Sequence, residues 1–224
     1  MNATMTKPRQ FDLLIFDWDG TLMDSAGVIV DSIQRACADI GHPVPTARDS
    51  RQIIGLGLQQ ALQTLLPTLG DDAYPLLVER YRHHYLGRDA QIPLFDGVTA
   101  GLRALHAAGF QLAVATGKSS VGLARALEAS GLGELFAATR CADQTHSKPH
   151  PAMVLELIDE LLADPARTLV IGDTSHDLLM ASNAGVASLA VTYGAHEAGD
   201  LVPHTPLGLM NSFAEVHAWL SANA

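Results

Sequence analysis

Four short runs of this chain, LLIF at 13–16, QLAVAT at 111–116, TLVIGD at 168–173 and ASLAVTY at 187–193, are apolar with almost no alternation. A strand with one wet face alternates apolar and polar residues, so continuous apolarity marks strands covered on both sides. Between the runs lie helical patterns. Val98, Leu102 and Leu105 precede Gly109; Val121, Ala124 and Leu127 precede Gly131; PAMVLELIDELLA is opened by Pro151. Strands that alternate with helices predict an α/β chain built on a parallel sheet, a Rossmann-like core.

The stretch 24–95 breaks that rhythm, because it holds helical patterns and no convincing strand. Asp24 or Ser25 can cap a helix carrying Val28, Ile29, Ile33, Cys37 and Ile40, with Gly41 as its stop. Further helices are expected around Gln59–Leu66 and Ala73–Tyr85. The simplest organisation is a core of residues 1–23 and 96–224 interrupted by an inserted α-helical unit at 24–95, with linkers near 22–25 and 92–97.

Charge and composition narrow the partners. A formal net charge of -10 with only 14 Lys+Arg gives no basic stripe to neutralise nucleic-acid phosphates or an anionic membrane. The N-terminal MNATMTKPRQ is polar and no run reaches spanning length, so a cytoplasmic protein is expected. Cys37 and Cys141, far apart and outside any CxxC spacing, read as buried inert thiols.

In a parallel sheet the loops leaving the carboxyl ends of the strands meet in one crevice. The polar residues there are Asp17 and Asp19 after the first run, Thr116 and Gly117 after the second, Lys148 in SKPHP, and Asp173 with Asp177 in GDTSHD. Carboxylates gathered at neighbouring strand ends repel unless a cation lies between them, and hard oxygen donors without His or Cys point to Mg²⁺. Such an ion binds one or two carboxylates plus a substrate phosphate. An ionised aspartate can attack phosphorus, and a second carboxyl two residues on can donate and later accept the proton. Asp17 is the candidate nucleophile and Asp19 the candidate acid/base, with its backbone carbonyl toward the metal. Thr116, Gly117 and Lys148 offer a hydroxyl, a closely approaching N–H and a positive charge to phosphate oxygens.

DWDGT, the run ending in Thr116, Lys148 in KPHP, and GDTSHD together resemble the four motifs of the haloacid dehalogenase superfamily, and the helical insert resembles that superfamily's small cap. The likeness extends over essentially the whole chain and is greatest to the phosphoglycolate phosphatase-like branch. It implies Mg²⁺ on Asp17, the Asp19 carbonyl and Asp173, with Asp177 holding metal-bound water or orienting Lys148. It also implies a small phosphorylated metabolite as substrate, 2-phosphoglycolate first, and a monomer or homodimer. The alternatives are a β-phosphoglucomutase-like phosphomutase, an inorganic pyrophosphatase and a non-catalytic phosphate-ligand binding module. Trp18 stands where an aliphatic residue is usual, and His150 where the KPxP loop varies; neither removes a required group.

Other apparent motifs do not hold. GKS at 117–119 ends like a Walker A loop, but Leu112 falls where its first glycine belongs, and GLGLQQ at 55–60 has Gln60 in place of the last glycine of a dinucleotide fingerprint. Gly55 and Gly57 read instead as a hinge or close-approach loop. His146 and His150 lack a third ligand. His176, chain neighbour of Ser175 and Asp177, is expected in a helix N-terminus on the rim rather than in a triad. In the insert, Arg48 or Arg51, near the IGLGL loop, is expected to reach a second anionic group of the substrate when the cap closes.

Overall fold

A computed structural model describes residues 9–223, so most of the polar N-terminal stretch lies outside the described residues. Six strands, β1 (Leu13–Phe16), β2 (Gln111–Thr116), β3 (Ala138–Cys141), β4 (Thr168–Gly172), β5 (Ala187–Val191) and β6 (Leu209–Met210), form one parallel sheet in the order β3-β2-β1-β4-β5-β6. The four continuous apolar runs become β1, β2, β4 and β5.

Side chains alternate across a strand, so LLIF feeds two cores at once. Leu14 and Phe16 pack with the helices on one face, and Leu13 and Ile15 with those on the other. Ten helices complete the described chain: α1 (Ala26–Asp39), α2 (Ala47–Gln52), α3 (Leu58–Leu65), α4 (Tyr74–Leu86), α5 (Val98–Ala107), α6 (Ser120–Ser130), α7 (Ala152–Glu160), α8 (Ser175–Asn183), α9 (Ala198–Leu201) and α10 (Phe213–Asn223). The face of Leu13 and Ile15 receives Met153, Val154 and Leu157 from α7 and Met180 and Ala181 from α8. The opposite face receives Val98, Leu102 and Leu105 from α5 and Phe213, Val216 and Leu220 from α10. Each such large aliphatic or aromatic side chain removed from water contributes about 1.5–3 kcal/mol, which makes this three-layer core the platform for the loops above it.

The stretch 24–95 contains α1 to α4 and no regular strand. Its entry and exit are tied together: Asp24 N–H donates to the Pro93 carbonyl at 3.0 Å, Phe95 N–H to the Leu22 carbonyl at 3.0 Å, and Met23 pairs antiparallel with Leu94. Five of these elements, β3, β6, α2, α9 and α10, were not expected from sequence. β3 is an edge strand whose Thr139 and Arg140 are half-buried, β6 has two residues, and α2 is polar apart from Ala47. Ser25 does occupy the N-cap place of α1, but its hydroxyl turns away from the helix and donates to Asp19 Oδ1 at 2.8 Å. Cys37 and Cys141 are buried free thiols. Among the described residues no helix is long and apolar enough to cross a membrane.

Candidate active site

Register sets the site. Phe16 is level with Val114 on β2 and Ile171 on β4, so the next residues of all three strands emerge at one edge. The Asp17 N–H still donates to the Ile171 carbonyl at 2.9 Å, which fixes Asp17 at the tip of the central strand. Asp17, Thr116, Lys148, Asp173 and Asp177 are all buried.

One carboxylate oxygen each from Asp17, Asp173 and Asp177 lie within 4.8 Å of one another. Lys148 Nζ is wedged among them, 2.7 Å from Asp17 Oδ1 and 2.6 Å from Asp177 Oδ1. The Asp177 contact is a hydrogen bond. The Asp17 contact is a buried ion pair through Oδ1, and Asp17 Oδ2 has no hydrogen-bond partner. Burial raises the Asp17 pKa well above the usual carboxylate range; Lys148 opposes the rise, and Asp177 and Asp173 add to it. Asp173 is pushed up to about 7, by burial first and by Asp177 second, against the lowering effect of its hydrogen bonds. Burial disfavours the Lys148 ammonium, yet Asp17 and Asp177 outweigh it and hold the group charged beyond the ordinary lysine range.

The neighbours hold these groups in place. Thr21 Oγ1 donates to Asp173 Oδ1 at 2.8 Å, and the Ala195 N–H donates to Asp173 Oδ2 at 2.7 Å. Asp177 belongs to a reciprocal cap on α8, in which the Thr174 N–H donates to Asp177 Oδ2 at 3.1 Å and the Asp177 N–H to Thr174 Oγ1 at 3.4 Å; Thr174 Oγ1 also donates to Asp177 Oδ2 at 2.7 Å. Gly20 has φ +86°, and a Cβ there would stand 2.1 Å from Asp173 Oδ2, so only glycine lets the turn pass the carboxylate.

The donor set fits a hard divalent cation. Three buried carboxylates face a single ammonium, Asp17 Oδ2 lacks any donor, and no softer ligand stands in the cluster. Asp19 stands outside this cluster by its side chain. Its carboxylate accepts from Ser25 and from Lys118 Nζ, at 2.8 Å and 2.9 Å to its two oxygens, and Lys118 Nζ also donates to the Tyr85 hydroxyl of α4 at 2.9 Å. Lys118 was passed over in the sequence as part of a failed Walker A match. Its position two residues past Thr116, at a strand end, was the available signal; its partner Tyr85 was not readable.

The loop Gly55–Gly57 presses onto these strand ends. Gly57 N–H donates to Ser147 Oγ at 2.7 Å, beside Lys148, and a Cβ on Gly117 would lie 2.5 Å from the Gly55 and Leu56 carbonyl oxygens. His176 lies in the first turn of α8, with Nε2 2.9 Å from the Gln52 carbonyl oxygen. Arg48 and Arg51 do not take the place expected of them. They border a separate pocket with Ala195 and Glu197, and Arg51 donates to the Gly194 carbonyl at 3.2 Å. Gly194 in turn stands against Asp173, so Arg51 borders the acidic cluster from the loop after β5.

The geometry is a buried acidic cluster, suited to a hard metal ion, at the carboxyl end of a parallel sheet, with Asp17 on the central strand. The pattern of haloacid dehalogenase-like hydrolases matches residues 14–191, and the chain belongs to that family. It is 39% identical over 211 residues, 91% of either chain, to a probable phosphatase of Dickeya dadantii. It is 34% identical, over 85% of this chain and 84% of the other, to a phosphoglycolate phosphatase of Agrobacterium fabrum. A crystal structure described as a predicted phosphoglycolate phosphatase from Haemophilus somnus superposes with a TM-score of 0.82 at 28% identity, covering 94% of this chain and 98% of that one.

Proposed function

We propose that this chain is a phosphatase that hydrolyses phosphate monoesters through a phosphorylated Asp17, with Mg²⁺ held by Asp17, Asp173, the Asp19 carbonyl and, through water, Asp177. The observation that carries the reading is Asp17 itself: a buried carboxylate at the tip of the central strand, with Oδ1 against Lys148 and Oδ2 without a hydrogen-bond partner, lining a cavity large enough for substrate. The names of the relatives support the phosphatase class.

In the first displacement an Asp17 oxygen bonds to phosphorus while the ester P–O bond breaks, and Asp19 gives its proton to the departing alcohol. In the second, Asp19 takes a proton from water whose oxygen attacks the same phosphorus, and phosphate leaves Asp17 regenerated. Thr116, the Gly117 N–H and Lys148 hold the transferring group's oxygens as their charge develops. Lys118 and Ser25 fix the Asp19 carboxylate so that it meets the leaving oxygen. Bound Mg²⁺ supplies charge neutralisation between the Asp17 carboxylate and the phosphate dianion. The helical unit 24–95 acts as a cap: its Gly55–Gly57 loop excludes water over the strand ends, and its withdrawal releases product.

The test is phosphate release by the wild-type chain and by Asp17→Asn, with and without EDTA, alongside radiolabel transfer from a labelled ester to the protein. Release that depends on Mg²⁺ and vanishes in Asp17→Asn, with label bound to wild type alone, is expected. An Asp17→Asn chain retaining more than about a tenth of the activity refutes the mechanism.

A further inference from the structure

The cavity above Asp17 and Asp19 has a volume of about 1210 Å³. Pockets that enclose drug-sized ligands span roughly 300–1,000 Å³, so a two-carbon acid such as glycolate would leave most of this one unfilled. Its walls are more apolar than polar, with Gln59, Gln60 and Gln63 among the polar residues. Ile29 and Ile33 of α1, Ile54 of the loop, Leu62 of α3, and Tyr81 and Tyr85 of α4 all border it. The last two rings stack on each other, with centroids 5.7 Å apart.

The cations bordering the cavity are the second observation. Lys118 Nζ has three hydrogens, and all three are engaged, two by Asp19 and one by Tyr85. Arg125 pairs with Asp89 at 3.3 Å. Arg82 is exposed to solvent at the rim, and Arg48 and Arg51 border a different pocket. Among the described residues, then, two of the three cations lining the cavity, Lys118 and Arg125, are already paired, and the third, Arg82, is exposed to solvent. An ionised carboxylate buried there out of reach of Arg82 loses its hydration without a partner, whereas an uncharged apolar group gains about 25 cal/mol for each Å² it buries.

From this we infer that the substrate of the proposed phosphatase is a monoester whose leaving alcohol is bulky, uncharged and largely apolar, an aryl or branched-alkyl group, rather than a small hydroxy acid. The inference rests on the hydrolytic reading above, and the reaction is unchanged: water enters, the ester P–O bond breaks, and alcohol and inorganic phosphate leave. The cavity selects the alcohol, and the strand ends handle the phosphate.

The experiment measures kcat/KM for phosphate release from methyl phosphate, benzyl phosphate and 2-phosphoglycolate by the full chain with Mg²⁺. All three are esters of primary or methyl alcohols, so the activated leaving group of a nitrophenyl ester does not distort the ranking. A kcat/KM for benzyl phosphate at least tenfold above both others is the expected result. A ratio under tenfold, or a preference for 2-phosphoglycolate, overturns the substrate class and leaves the hydrolase standing. No release from any of the three, nor from p-nitrophenyl phosphate, removes the hydrolytic reading and the substrate class with it. Arg82→Ala, at an exposed position, completes the test. An unchanged KM for 2-phosphoglycolate is expected, and a tenfold rise would show that the cavity does recruit a cation for a second anion and would overturn the inference.

Discussion

Replacing Lys148 with methionine keeps the length of the side chain and removes its charge. Lys148 is fully buried, 2.7 Å from Asp17 and 2.6 Å from Asp177, so the change leaves three carboxylates in a closed space with no counter-ion. Breaking a buried ion pair by deleting one partner costs about 3–5 kcal/mol. For a chain of this size each kcal/mol lowers Tm by about 2–4 °C, so a fall of roughly 6–20 °C is expected in EDTA at pH 8.

The sign of the pH dependence follows from the direction of the shifts. Asp17 and Asp173 are already held above their ordinary values, Asp173 at about 7, and loss of the ammonium raises them further. A raised folded-state pKa means that the folded state binds protons more readily than the unfolded one. Its penalty is therefore absent below about pH 4, where both states are protonated, and complete above the folded value. The Tm deficit of Lys148→Met should shrink as pH falls from 8 toward 5. Mg²⁺ should restore more stability to the variant than to the wild type, because ligand binding stabilises by mass action and the variant presents a more negative cluster. Thermal unfolding followed by circular dichroism at several pH values, in EDTA and in Mg²⁺, measures each quantity. A fall of less than about 2 °C in EDTA, or a deficit that widens on acidification, would refute this electrostatic account.

Other perturbations test neighbouring parts of the site. Gly20→Ala drives a Cβ to 2.1 Å from Asp173 Oδ2, so it should weaken the protein's affinity for Mg²⁺ at least tenfold, as read by metal titration of the Tm; unchanged affinity would count against Asp173 as a ligand. Gly117→Ala pushes on the Gly55 and Leu56 carbonyls, and because a displacement near 1 Å costs on the order of a hundredfold in rate, kcat/KM should fall to about that extent while the chain stays folded. Lys118→Met frees the Asp19 carboxylate of its two charged hydrogen bonds and should lower kcat at least tenfold with a smaller change in KM, with Lys118→Arg recovering part of the loss. A raised KM with kcat unchanged would assign Lys118 to substrate binding instead of positioning.

The fold was legible wherever burial writes itself into apolar runs, and less so elsewhere. LLIF and QLAVAT are covered on both faces and have no other physical reading, whereas ATRC at 138–141 is an edge strand whose Arg140 reaches Glu156 at 2.7 Å and Glu160 at 2.6 Å, so charge masks it. Helix α2 has no apolar stripe, and its one signal was the Thr46 hydroxyl accepting from the Asp49 N–H, a cap that takes only two residues to write. The convergence of Asp17, Thr116, Lys148 and Asp173 follows from parallel-strand geometry, which brings strand ends together whatever the loops between them contain. What spacing does not encode is direction. Arg51 leans toward Gly194 because of how α2 sits on the loop after β5, and Lys118 finds Tyr85 from 33 residues away in the chain.

The antiparallel neck of residues 22–24 and 93–95 has a consequence for how such a chain diversifies. It begins three residues past Asp19 and returns the chain to the core within a few ångströms of where it left, held by the Asp24–Pro93 and Phe95–Leu22 hydrogen bonds. Whatever is threaded between those two points can be rebuilt, lengthened or relined without altering the register that aligns Asp17 with β2 and β4. Inheritance can thus treat the two halves separately, with the chemistry anchored in the sheet and the choice of alcohol left to a loop that happens to be seventy residues long.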